Sequence, residues 1–176
     1  NITGNLIPLF QRFNFRNSGW RKYQDNTLVK LYSEIDPDGN VSDANLINFG
    51  PNMNLLYLDL PNSGGKVVFS VWIKAADNAN FQLPIGFSQA CPNRDATYNY
   101  SSPGWETCRM NPIVDNSVTS SYKYFYTNLT VTPTWQKFTY TSDPNLDSTG
   151  KIIVLGGPFQ QTGRQIYLWG ARLERQ

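Results

Sequence analysis

The side chains of this chain best suited to chemistry at a surface fall between Ser88 and Ser120: Cys91 and Cys108, the rings of Tyr98, Tyr100 and Trp105, and the hydrogen-bonding Arg94, Asn99 and Arg109. Rings of this kind can stack on the flat face of a ligand, while guanidinium and amide groups donate hydrogen bonds to its oxygens. The two cysteines are the only ones in the sequence, too few for a four-thiolate zinc site. Either they are free thiols or they close a loop over Pro92 to Thr107, and closure is the preferred reading. A disulfide of that span contributes on the order of 3 kcal/mol in the chain-entropy model, and it would place the chain outside a reducing cytosol.

Other chemistry is excluded or left without support. There is no histidine, so Ser-His-Asp and Cys-His nucleophiles and imidazole metal sites cannot be built. Gly64-Gly65 and Gly156-Gly157 sit at turns with no Lys-Ser/Thr after them, unlike a phosphate-binding loop. Glu34, Glu106 and Glu174 could supply the two carboxylates of a glycosidase, but linear spacing sets no separation between them; the expectation is a chain that is not an enzyme. The carboxylates of Asp36-Pro37-Asp38-Gly39-Asn40 could ligate calcium, yet the twelve-residue spacing and closing Glu of a calcium loop are missing, and the same residues are what a tight turn needs. The amino end interleaves Arg12, Arg16, Arg21 and Lys22 with Phe13 and Phe15, but the charges are few and no ribonucleoprotein-type motif is present, so no nucleic-acid partner is expected.

The elements that must position these groups read as strands. Only 16% of the 176 residues are charged, 14% are aromatic, and 13 Gly and 11 Pro punctuate the chain, a composition that favours many short strands over amphipathic helices. The strongest signal is Gly65 to Ala76: Val67, Phe69, Val71 and Ile73 share one face, and Val68, Ser70, Trp72 and Lys74 the other. Further strands are expected at Thr27–Tyr32, Asn45–Phe49, Met53–Leu60, Phe81–Phe87, Tyr122–Thr127, Thr134–Thr141, Lys151–Leu155 and Arg164–Leu173, with a strand and an irregular arm at the amino end. The last strand is read as Ile166 and Leu168 alternating with Tyr167, Trp169, Ala171 and Leu173. About ten strands and no convincing helix make an all-β chain: a two-sheet antiparallel β-sandwich or jelly roll, one domain over 1–176.

Residues 88–120 interrupt this rhythm and form the one long irregular loop. A loop of that length in a compact domain is uncommon unless functional; it serves either as a binding surface or as a stapled lid over one end of the core. The row Tyr122, Tyr124 and Tyr126 is read as an ordinary half-buried sheet face. No apolar run approaches the roughly 20 residues that span a bilayer, so no membrane insertion is expected and the chain reads as soluble. The net charge of +2 is small, but basic residues dominate the first thirty positions and acids alone occupy Glu34 to Asp59. That asymmetry would suit a homo-oligomer, though solvated loop faces explain it more cheaply.

Four stretches fall in a familiar order: Asn5-Leu6-Ile7-Pro8 with Gly19-Trp20; Gly65-Lys66 with Phe69-Ser70-Val71-Trp72-Ile73-Lys74-Ala75; Val131 to Thr139; and Ile166-Tyr167-Leu168-Trp169-Gly170-Ala171-Arg172-Leu173-Glu174. In this order they resemble the galactose-binding-like, jelly-roll carbohydrate-binding modules found in tailed-phage virion proteins, over about residues 5–174. The closing Leu-Trp-Gly-Ala-Arg-Leu-Glu carries most of the likeness. These landmarks read as strand and core positions that hold the fold, with recognition left to the 88–120 insert. The resemblance implies a non-catalytic protein binding glycans, often with a structural calcium, at a virion surface or otherwise outside the cell. It also allows a capsid decoration or tail protein contacting neighbouring virion proteins, or a module of a secreted bacterial hydrolase.

Overall fold

A computed structural model of the chain describes residues 4–7, 9–16, 20–22, 27–49, 56–59, 66–90, 122–142, 151–156 and 164–176. Among these the chain forms ten strands and a single helical turn, α1 (Leu9–Arg12). The strands are β1 (Trp20–Lys22), β2 (Thr27–Ile35), β3 (Val41–Phe49), β4 (Leu56–Asp59), β5 (Val67–Ala75), β6 (Phe81–Ala90), β7 (Tyr122–Val131), β8 (Gln136–Thr141), β9 (Lys151–Leu155) and β10 (Gln165–Arg175). They build two five-stranded sheets, ordered β1-β4-β9-β6-β7 and β2-β3-β10-β5-β8. Every pairing is antiparallel. Apart from the β2–β3 and β6–β7 hairpins, each connection carries the chain from one sheet to the other, as in a jelly-roll sandwich.

Period-two alternation explains the core. Val67, Phe69, Val71 and Ile73 of β5 have no exposed surface, nor do Leu83, Ile85 and Phe87 of β6, Ile153 and Leu155 of β9, or Ile166 and Leu168 of β10. These inner faces meet in one cluster, and each large side chain contributes about 1.5–3 kcal/mol relative to an exposed position. The β2–β3 turn is made as its residue types require. The Asp36 carboxylate accepts the amide hydrogens of Asp38 and Asn40 (2.9 and 3.0 Å), and Gly39 takes φ +88°, a conformation costly for any residue with a Cβ.

Two expectations change. Among the described residues no strand precedes β1 at Trp20: residues 5–7 run beside β10 and α1 follows. Phe13 and Phe15 do not share an environment, since Phe13 is 46% exposed and Phe15 is fully buried against Trp20. In β10 the simple alternation breaks. Trp169 lies opposite Trp72 and Arg172 opposite Ser70, so three steps on β10 match two on β5. The extra residue is a β-bulge at Gly170, whose φ of +66° is the left-handed conformation such a bulge uses. Beyond it the faces swap. Ala171 and Leu173 join Ile166 and Leu168 in the core, and Arg172 joins Tyr167 and Trp169 on the outward face.

Candidate functional site

The outward face of the β2-β3-β10-β5-β8 sheet carries large side chains in successive rungs. In one rung Trp72 of β5 stands between Lys137 of β8 and Trp169 of β10. In the next, Ser70 stands between Thr139 and Arg172. Rungs two residues apart are separated by roughly 6.5–7 Å and adjacent strands by about 4.8 Å, a spacing on which neighbouring rings make a continuous surface. The bulge lets Trp169 and Arg172 share this face despite their odd separation. It also brings a bare backbone between two rings: a Cβ on Gly170 would lie 3.6 Å from Trp72 Cδ1 and 3.7 Å from Phe13 Cε1.

The amino-terminal arm closes one end. The Asn5 side chain donates to the Ala171 carbonyl (2.9 Å) and accepts from the Leu173 and Ile7 amides (2.9 and 3.0 Å), while the Leu6 amide donates to the Leu173 carbonyl. Arg12 donates to the carbonyls of Ile7 and Asn5 (2.7 and 3.0 Å). Asn45 of β3, 1% exposed, holds the next part of the arm: its Nδ2 donates to the Phe13 carbonyl (2.6 Å) and its Oδ1 accepts the Phe15 amide (3.1 Å). Phe13 is thereby set edge-on to Trp169, centroids 5.0 Å apart with the planes at 65°, a favoured aromatic geometry. The result is an open hollow of about 250 Å³ lined by Asn5, Arg12, Phe13, Ser70, Trp72, Lys137, Trp169, Ala171 and Arg172 around Gly170.

A second aromatic group borders it one rung along. Lys74 Nζ lies 5.7 Å from the ring centres of both Trp135 and Tyr167 and 3.6 Å from the Glu34 carboxylate. The Trp135 Nε1–H donates to the Ile35 carbonyl (2.7 Å), so this indole is anchored rather than free to turn. Just past this group, where β5 ends and β10 begins, Arg164 clasps Asp77 through two hydrogen bonds (2.7 and 2.9 Å) and covers the Phe81 ring at 4.1 Å. The guanidinium holds the Asp77 carboxyl below its ordinary range.

Chemically the hollow offers rings for stacking and nitrogen donors for hydroxyls or anions, with no carboxylate among its lining residues. Glu34 is engaged by Lys74, and Glu174 by Arg172 at 2.5 Å. Among the described residues no group of three or more Asp, Glu, Cys or His side chains could hold a metal, and Asp36 Oδ1 serves its own turn.

The sequence-derived candidates Tyr98, Tyr100, Trp105, Arg94 and Arg109, the cysteines Cys91 and Cys108, and Glu106 lie outside the described residues, as do the side chains of the Tyr122, Tyr124 and Tyr126 row. The landmark residues, expected to hold only the fold, divide. Phe69, Val71, Ile73, Ile166 and Leu168 are core, whereas Trp72, Lys137, Trp169 and Arg172 line the hollow. Sequence reasoning missed this because large rings in strands read as packing. The available signal was Gly170, a lone glycine inside a strand pattern, which marks a bulge or a close approach.

No family model and no curated protein matches the sequence. Solved structures match through the fold. The CBM22-1 xylan-binding domain of Xyn10C from Paenibacillus barcinonensis superposes with a TM-score of 0.59 at 13% identity, over 92% of this chain and 90% of that one. The CBM22-1-GH10 modules of endo-1,4-beta-D-xylanase 10B from Clostridium thermocellum, complexed with xylohexaose, give 0.59 at 9% identity over 99% of this chain, which spans 28% of the longer molecule. An arabinose-bound GH51 α-L-arabinofuranosidase gives 0.59 at 10% identity, over 98% of this chain and 26% of that one. At such identities the likeness is one of fold: the chain shares the β-sandwich of carbohydrate-binding modules.

Proposed function

We propose that the chain is a non-catalytic carbohydrate-binding module whose glycan runs across the outward face of the β2-β3-β10-β5-β8 sheet, with one or two sugar rings seated against Trp169, Trp72 and Phe13. The observation that carries this reading is the Lys137–Trp72–Trp169 rung with Phe13 fixed at its edge, on a fold shared with a domain described as xylan-binding. A hollow of about 250 Å³ is smaller than the roughly 300–1,000 Å³ of pockets that enclose a drug-sized ligand. Its size and openness suit part of a longer chain. A glycosidase needs two carboxylates flanking the bond, and the hollow has none. The carrier in this reading is extracellular. A secreted hydrolase is supported by the xylanase modules among the neighbours, and a virion by the sequence resemblance alone.

The test is a glycan array followed by calorimetric titration of the best binder. Trp169→Ala, with its fold checked by circular dichroism, should weaken binding at least tenfold, since a stacking ring at the centre of a site is worth more than about 1.4 kcal/mol. Undiminished binding in both Trp169→Ala and Trp72→Ala overturns the proposal. No glycan binding, together with burial of this face against a neighbouring virion subunit, decides for a capsid or tail role. The aromatics Tyr98, Tyr100 and Trp105, outside the described residues, form a separate proposal, ranked by Trp105→Ala in the same titration.

A further inference from the structure

Resting on that reading, we infer that the sugar seated in the hollow carries a carboxylate: the site selects a uronate residue over the neutral pyranose of the same stereochemistry. Three cations line the hollow, Arg12, Lys137 and Arg172, and no acid does. The only carboxylate paired with any of them among the described residues is Glu174, on Arg172. Arg12 gives two of its five N–H donors to the carbonyls of Ile7 and Asn5, and neither partner neutralises its charge.

Lys137 has no carboxylate within ion-pair distance among the described residues and stands on edge strand β8 directly opposite Trp72. Arg172 lies one rung away, opposite Ser70. A pyranose stacked on the Trp72 and Trp169 rings therefore has a positive group at its rim on the β8 side and another on the next rung. An anionic substituent there gains charge-assisted hydrogen bonds, which are about twice as strong as neutral ones. A hydroxymethyl group in its place leaves the net positive charge of the hollow uncompensated. Where neutral sugars suffice as ligands, the aromatic platform needs no such pair of unopposed cations as Arg12 and Lys137. Nothing in the fold requires Lys137 for packing, since its position on the edge strand is exposed.

Three matched pairs of oligosaccharides test this by calorimetric titration: β-1,4-glucuronan oligomers against cello-oligomers, β-1,4-mannuronan oligomers against manno-oligomers, and glucuronic-acid-substituted xylo-oligomers against plain ones. In at least one pair the acidic member should bind about tenfold tighter, with the advantage shrinking as salt rises. Lys137→Gln should collapse that ratio toward one, and Arg172→Gln should reduce it. Binding with equal affinity within every pair, or a ratio that survives both substitutions, overturns this inference and leaves the glycan-binding reading standing. Binding by no member of any pair overturns this inference, and the lack of any signal on the glycan array as well overturns the glycan-binding reading with it.

Discussion

Asn45 offers the sharpest test of how the hollow is built. Its side chain is 1% exposed and joins two pieces of backbone, donating to the Phe13 carbonyl at 2.6 Å and accepting the Phe15 amide at 3.1 Å. Asn45→Leu keeps the heavy-atom count and branching of the side chain, with bulkier methyl ends, but leaves both backbone groups without a partner. An orphaned buried group costs about 1–3 kcal/mol; because Phe13 is 46% exposed, water can reach its carbonyl in part, and the expected loss is about 2–4 kcal/mol. For a chain of this size each kcal/mol moves the melting temperature by about 2–4 °C, so thermal unfolding should occur about 5–15 °C lower. The same change frees Phe13 from Trp169, and glycan affinity should fall several-fold. Phe13→Ala separates the two effects: it removes the ring while leaving both Asn45 bonds, and should reproduce the loss of affinity at a stability cost under about 1 kcal/mol, as for other half-exposed sites. A melting shift below about 2 °C for Asn45→Leu, or intact affinity in both variants, refutes the idea that this buried amide positions the edge of the site.

Other outcomes follow from the bulge and the clasp. Gly170→Ala should destabilise by about 1–2 kcal/mol, the strain of an L residue in the left-handed region, because the new Cβ meets its neighbours at 3.6 and 3.7 Å, ordinary contact distances. Gly170→Asn should cost less, and urea unfolding that shows no difference between alanine and glycine counts against the bulge. Asp77 is held below its ordinary value of 3.8 by Arg164, so its contribution is fully present above about 4 and fades as pH falls through the lower folded value. Asp77→Asn should therefore lower stability slightly near neutrality, by less than about 1 kcal/mol for a carboxylate 39% exposed. The gap to wild type should close in strong acid, and a gap that widens there is contrary to the linkage.

Much of the architecture was legible because strand alternation is a local property. Val67, Phe69, Val71 and Ile73 had to share a face whatever they packed against, and Asp36 to Asn40 had to turn because their backbone preferences leave few alternatives. The approximate positions of β2 to β10 follow from the same pattern, whereas β1 at Trp20–Lys22 was not anticipated. The hollow was not legible. Trp72 and Trp169 are large rings at strand positions, and the residue types alone do not say whether a ring points into the sandwich or out of it.

What the sequence determined by itself was a set of two-faced strands separated by turns, and hence a β-sandwich, since each apolar face has to be covered by another. Only the tertiary structure decided which sheet face was left open and what stood on it. Pairing in register set Lys137, Trp72 and Trp169 in one rung. One extra residue at Gly170 moved Arg172 from the core side to that face. The buried Asn45 drew Phe13 to its rim across 32 residues of sequence. Pairing partners, bulges and long-range hydrogen bonds are relations between distant segments, so no local pattern of residue types specifies them.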